Sequence, residues 1–394
     1  MRAGGLEPVE LRLAVALGGM ISLRMLGLFL ILPVFMVMAR EVPGFSPQLG
    51  GIAVGAYGLT QALMQQPFGW LSDRWGRRPV LMLGLAVFAI GGVVAASAVS
   101  MQGLILGRAL QGCGAIAGVA MAFAADGSRP EKRPLMMAAI GMGIGAAFLL
   151  SMMLSVPLAN VLGLQGLFWL TAAMGGFGML LVLLTPRHID SHAVAANTTV
   201  SSMKPVWLLA LSAFVLHAVM TLVFVVLPGR LIVAHDLALA EHWKLYVPTM
   251  IASVVLMLPL LARIGAKKSE STVLSAAFAV IGIALVVLSA DTRMPALAVT
   301  VTLYFLGFNL LEASMPSLLS RVTGSRARGR KMGLFSTFQF LGAFVGGTVG
   351  GLMLAYLGAA AALEWAGAAC VLWAIVTGLL SRRLFRTSAA VGLC

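Results

Sequence analysis

The chain has 394 residues, of which 60% are hydrophobic and only 10% charged, with a mean hydropathy of +1.00 and a formal net charge of +14. A soluble domain carries roughly 25% charged residues, so a soluble surface is excluded, and the apolar richness excludes a disordered chain. A nucleic-acid groove is excluded too, because Lys and Arg sit as short islands between apolar runs instead of clustering on a polar surface, and Cys113, Cys370 and Cys394 have no spacing that implies a metal site or a disulfide framework.

A membrane-spanning helix needs about 20 predominantly apolar residues. Such runs are predicted, in chain order, at 13–39, 49–71, 79–99, 103–125, 135–159, 166–184, 206–229, 244–262, 271–289, 295–320, 332–355 and 359–381, twelve in all. The first is too long for the apolar region of a signal peptide and is not followed by a small-residue cleavage site, so it is expected to remain as helix 1. It carries Arg24; helix 2 carries Tyr57 and Gln61; helix 4 carries Arg108 and Gln111, with Asp126 at its end. Between helices 2 and 3 runs Gly69-Trp70-Leu71-Ser72-Asp73-Arg74-Trp75-Gly76-Arg77-Arg78-Pro79. Helix 5 holds Gly141 and Gly145, which put small residues on one face and let a neighbouring helix approach. After helix 6 the longest polar connection, 187–204, divides the chain into an N-terminal six-helix bundle at 1–186 and a C-terminal one at 205–394. Helix 7 carries His217, helix 10 carries Tyr304, Asn309 and Glu312, and helix 11 carries Gln339 and the glycines 342, 346, 347, 350 and 351.

Orientation follows from the basic residues, which concentrate on the cytoplasmic side of membrane proteins. Of the 27 Lys and Arg, only Arg40, Arg230, Lys244 and Arg293 fall on the other side when both termini are placed in the cytoplasm, and only Arg24 and Arg108 lie within spans. The net charge is therefore a topology signal. Both termini are expected in the cytoplasm.

The two halves echo each other weakly. Leu23-Arg24 precedes Leu32-Pro33 in helix 1 as Leu216-His217 precedes Leu227-Pro228 in helix 7. Two parallel six-helix repeats are a known transporter layout. The helix 2 to helix 3 loop resembles the signature GxLaDRxGRRxx of the major facilitator superfamily at Gly69, Asp73, Arg74, Gly76, Arg77 and Arg78, and Gly107 to Gly112 is similar to its RxxQG element. A closer resemblance is to the bacterial YajR-type proton-coupled drug efflux proteins. It is carried by Ser22 to Gly27, Tyr57 to Ala62, Ile105 to Ala117, Glu241 to Lys244, Phe308 to Ala313 and Gln339 to Gly342. The resemblance implies an all-α membrane protein of twelve helices in two pseudo-symmetric bundles, working by alternating access. Two departures stand out. The family member continues past helix 12 into a small ferredoxin-like domain that this sequence lacks, and Ala146 stands where the antiporter element of helix 5 usually has proline.

The resemblance also implies roles. Asp73 would sit against the start of helix 11, where the helix dipole favours an anion, and Arg77 would link it to Asp126, closing the cytoplasmic side. The alternative is that Arg74, Arg77 and Arg78 anchor the loop to anionic lipid, worth about 1 kcal/mol each. Deep ionisable groups are costly and mark function, and they fall one each on helices 1, 4, 7 and 10 as Arg24, Arg108, His217 and Glu312. Glu312 is the first candidate for proton coupling, with Asp126 and His217 after it, since a carboxyl among apolar groups takes up a proton readily and an imidazole titrates near neutrality. Glu312 as a fixed partner of Arg24 or Asn309 is the alternative. Arg24, Tyr57, Gln61, Arg108, Gln111, His217, Tyr304, Asn309, Glu312 and Gln339 are the expected substrate cavity. The expected activity is proton-coupled export of an amphipathic or cationic small molecule by a monomer in contact with membrane lipid, driven by the proton gradient without cofactor or metal. Proton-coupled uptake and a membrane sensor without transport are the alternatives. No enzyme signature such as GxSxG, HExxH or a Walker loop is present.

Overall fold

A computed structural model describes residues 6–129, 131–186, 203–267, 270–290, 293–322 and 328–391. Among these residues helices account for almost everything and no strand occurs. Lipid offers backbone groups no partner, so a chain crossing it must satisfy them within helices. In order the helices are α1 (Pro8–Met38), α2 (Pro47–Trp75), α3 (Arg77–Ala96), α4 (Met101–Cys113), α5 (Ala117–Asp126), α6 (Arg133–Leu183), α7 (Lys204–His235), α8 (Trp243–Lys267), α9 (Glu270–Ser289), α10 (Met294–Val322), α11 (Arg328–Tyr356) and α12 (Gly358–Val391).

Two departures from one helix per span reconcile this list with the twelve predicted runs. The first is α6, whose 51 residues are far too long for one crossing. Its backbone leaves helical angles at Gly163 (φ 67°, ψ 178°), a left-handed position that glycine adopts without strain, and two crossings result. The second is the fourth run, predicted as one helix but built as two short ones, α4 and α5. At the break, Ala115 N–H donates to Cys113 O at 2.8 Å and Ile116 N–H to Gly114 O at 2.9 Å, replacing helical bonds by tight turns. The cause is packing. A methyl group on Gly114 would lie 2.2 Å from the Gly84 carbonyl oxygen, so α3 and α4 meet backbone to backbone there. Thr60 of α2 donates to Ala109 O at 2.7 Å and adds a partner for the carbonyls at the end of α4.

The described residues form two compact units. Unit 1 holds the residues up to Pro33, Glu41–Gly44 and those from Ala56 through α6; unit 2 holds Val34–Arg40, Phe45–Gly55 and α7 to α12. The end of α1 and the start of α2 therefore belong to unit 2. The connection predicted at 187–204 lies outside the described residues up to 202.

Small residues bring the helices together in each unit. In unit 1, α3 lies against α4 and α6: a methyl group on Gly91 would meet Gln111 N at 2.4 Å, and one on Gly92 would meet Ala172 at 3.0 Å. In unit 2, α11 has two glycine faces. Gly342, Gly346 and Gly350 lie on Phe214, Ala218 and Leu222 of α7, while Gly347 and Gly351 lie on Pro47, Gly51 and Gly55 of α2. The expectation for helix 5 is corrected: nothing among the described residues comes within 4 Å of a methyl group placed on Gly141 or Gly145, and it is Gly143 that meets Ser22 of α1.

Candidate functional site

The loop between α2 and α3 turns at Gly76, which has φ 88° and so requires glycine. That turn brings Arg77 back over the end of α2. Its Nη1 donates to Asp73 Oδ1 at 2.5 Å and to Ser72 Oγ at 2.6 Å, and its Nε donates to Asp126 Oδ2 at 2.9 Å, at the end of α5. One guanidinium thus ties the ends of two spans, which the fork of an arginine can do and a single ammonium cannot. Arg74 instead lies over the Trp70 ring, 4.0 Å from its centroid, and Arg78 Nη2 donates to Leu183 O at 2.9 Å, capping α6. No packing reason is found for Gly69, where a methyl group would meet nothing.

A second ion cluster on unit 1 was not foreseen. Arg129 pairs with Glu7 at 2.9 Å and Glu10 at 2.8 Å, tying the start of α1 to the segment after α5. The Glu10 carboxylate holds the Arg129 guanidinium above its ordinary range. The sequence signal was available: two acids one helical turn apart at the start of an apolar run.

Deep in unit 1, Arg24 and Arg108 are 2% and 1% exposed. Arg24 Nη2 donates to Gln61 Oε1, and Gln61 Nε2 donates to Gln65 Oε1 at 3.2 Å. Arg108 Nη1 donates to Gln111 Oε1 at 3.1 Å, and Gln111 Nε2 donates to Thr171 Oγ1 at 2.8 Å. Both guanidinium groups lie by the Tyr57 ring, 5.6 Å and 5.0 Å from its centroid, and Arg24 is also 5.6 Å from that of Phe88. A desolvated cation over an aromatic face gains about 2 kcal/mol, against a cost of at least about 2.5 to 3.5 kcal/mol for a charge at this depth. The rings therefore offset much of the cost, and the amides take part of the remainder. Thr171 and Phe88 are the members that sequence reasoning missed, because a lone hydroxyl or ring in an apolar helix carries no signal of its own.

In unit 2, His217 of α7, Glu312 of α10 and Gln339 of α11 converge. His217 Nδ1 lies 3.0 Å from Ala213 O, and Nε2 lies 3.3 Å from both Glu312 Oε1 and Gln339 Nε2. A carbonyl only accepts, so Nδ1 carries the proton, and in a neutral ring Nε2 is then an acceptor. Facing an ionised carboxylate, such a ring would set lone pair against lone pair. The pair is relieved when one proton sits on it, on either the imidazole or the carboxyl. Glu312 is a third exposed and His217 about an eighth, but the Oε1 that faces His217 is itself buried and has no hydrogen-bond partner among the described residues.

Two expected cavity residues stand apart. Asn309 donates to Ser253 Oγ at 3.0 Å and so joins α10 to α8, and it does not bond Glu312. Tyr304 is 1% exposed, with its hydroxyl unpartnered among the described residues and its ring edge-on to Phe305 at 5.3 Å.

Comparison with known proteins agrees with this architecture. The sequence pattern of the Major Facilitator Superfamily matches residues 17–309. The chain is 40% identical over 355 residues to the inner membrane transport protein YajR of Escherichia coli strain K12, covering 88% of this chain and 78% of that protein. It is 26% identical over 360 residues to the multidrug resistance protein MdtH of Aeromonas salmonicida, covering 87% and 85%. Among solved structures, a bacterial homolog of the human lysosomal transporter Spinster superposes with a TM-score of 0.75 over 98% of both chains at 14% identity, which concerns the fold alone. With twelve helices among the described residues, the signature loop and these relatives together, the chain belongs to the Major Facilitator Superfamily, a family of multi-pass membrane transporters and not of enzymes.

Proposed function

We propose that this transporter exports an amphipathic small molecule across a bacterial inner membrane in exchange for protons, with His217 and Glu312 as the proton site and both termini in the cytoplasm. The observation that carries the reading is the 3.3 Å approach of His217 Nε2 to Glu312 Oε1, a geometry that is relieved by holding a proton. Drug-like cargo is supported by the 26% identity to a protein named for multidrug resistance. The Asp73, Arg77 and Asp126 network acts as a cytoplasmic latch, and the polar groups of unit 1 around Arg24, Tyr57, Gln61, Arg108 and Gln111 contact the cargo. The working unit is the monomer.

The test is flux of a fluorescent dye in proteoliposomes under an imposed pH gradient. Glu312→Gln and His217→Gln are each expected to lower pH-driven flux by about tenfold or more while dye binding persists. Full coupling in both variants would remove the pair from the mechanism. Dye accumulation along the proton gradient, in place of exchange against it, would identify uptake.

A further inference from the structure

Among the described residues, the two deep arginines of unit 1 have no acid beside them. Arg24 and Arg108 are each more than nine-tenths buried, and each has one hydrogen bond to a neutral amide oxygen. The paired acids of unit 1 are taken elsewhere, Glu7 and Glu10 by Arg129 and Asp73 and Asp126 by Arg77. Among the described residues, neither Arg24 nor Arg108 is in an ion pair. Arg24 Nε and Nη1 have no hydrogen-bond partner among the described residues, although buried. Buried charges are ordinarily paired, and a donor left without an acceptor in a low-dielectric site costs more than it would in water. Unit 2 differs: its deep carboxylate, Glu312, has a basic side chain beside it, with His217 Nε2 3.3 Å from Oε1.

We infer that the Arg24 and Arg108 site of unit 1 receives an oxyanion, and that the transported molecule is an amphipathic acid. A carboxylate, sulfonate or phosphate supplies what the site lacks, a charged acceptor for the free nitrogens of Arg24 in the field of Arg108. The Tyr57 and Phe88 rings, already against the guanidinium groups, form an apolar wall for the rest of such a molecule. The sequence favoured a cationic cargo because Glu312 was the one deep carboxylate. Glu312 has the basic ring of His217 beside it, whereas among the described residues no acid stands beside Arg24 or Arg108. The inference rests on the reading of these residues as cargo contacts, and not on proton coupling.

The test measures binding of three probes that share a fluorophore and differ in charge: dansylglycine, its methyl ester, and dansylcadaverine. The full chain in nanodiscs of phosphatidylcholine is titrated with each. Dansylglycine is expected to bind at least about tenfold more tightly than the ester or the amine, the scale of one charge-assisted hydrogen bond. Arg24→Gln should erase that preference by weakening the acid alone. Gln61→Glu, which places a carboxylate on Arg24 and leaves the arginine in position, should do the same even where Arg24→Gln fails to give a monodisperse protein. Equal or tighter binding of ester or amine overturns the inference. So does an equal loss for all three probes in the variants, and so does displacement of the acid by phosphatidylglycerol added to the discs, which would assign the site to a lipid headgroup. No proton gradient enters this assay. Acid-selective binding with pH-independent flux therefore sinks proton coupling alone, and unselective binding with pH-driven flux sinks the anion site alone.

Discussion

Arg77 holds Asp73, Ser72 and Asp126 with two of its three nitrogens, and what each partner contributes depends on its exposure. Asp73 is 65% exposed, so water and salt screen it, and pairs of that kind are worth under about 1 kcal/mol. Asp73→Asn is expected to leave the unfolding temperature within about 2 °C yet to lower flux, if the latch is its role; unchanged flux would leave Asp73 as a surface charge. Arg77→Lys differs because one ammonium cannot reach both ends, and about 1 to 2 kcal/mol of stability should go with it, read as a fall in unfolding temperature. At Gly76 the backbone itself is the constraint. With φ at 88°, Gly76→Ala should cost about 1 to 2 kcal/mol, whereas an equal change at Gly69, where an added methyl group meets nothing within 4 Å among the described residues, should be silent. The role of Gly76 was legible in the signature, but the partners of Arg77 on the end of α5 became definite only once the turn was built.

At the scale of the element, glycines divide into those that set helix spacing and those that do not. A methyl group on Gly346 would lie 1.9 Å from Ala218 O, so Gly346→Ala must push α11 off α7 and should lower stability by about 1 to 3 kcal/mol. Gly141→Ala meets nothing and should be neutral or stabilising by up to about 1 kcal/mol through helix propensity. Paired thermal melts in one detergent check the contrast, and equal losses would refute it. The spans themselves were legible because lipid imposes a length and a polarity on each. The spacing of Gly342, Gly346 and Gly350 likewise announced a close-packed face on α11. Hydropathy was blind to the break between α4 and α5, since Cys113 to Ile116 are as apolar as their neighbours and the cause is Gly84 on another helix. The same limit hid the meeting of His217 with Glu312: each was visible as a deep ionisable group, but not that α7 and α10 would set them 3.3 Å apart.

At the scale of the molecule, charge carries the expected orientation. The distribution of Lys and Arg predicts cytoplasmic termini, so green fluorescent protein fused after Cys394 should fluoresce, and alkaline phosphatase fused after Glu41 should be active. The reverse pair of results would invert the topology and move the loop motif to the other face. The helix count and the signature loop were readable from the chain, because both depend on local composition. The charge balance of each unit was not, because it depends on which acids are taken by Arg77, Arg129 and His217.

The interrupted fourth crossing has a mechanical consequence. Arg108 stands on one of its pieces and Asp126 on the other, with the Gly84 and Gly114 crossing between them as a fulcrum. A continuous helix would transmit any twist at Asp126 to Arg108 as rotation of a rigid shaft. Two short rods meeting at a pivot would convert such a twist to tilt instead, leaving the azimuth of the guanidinium unchanged.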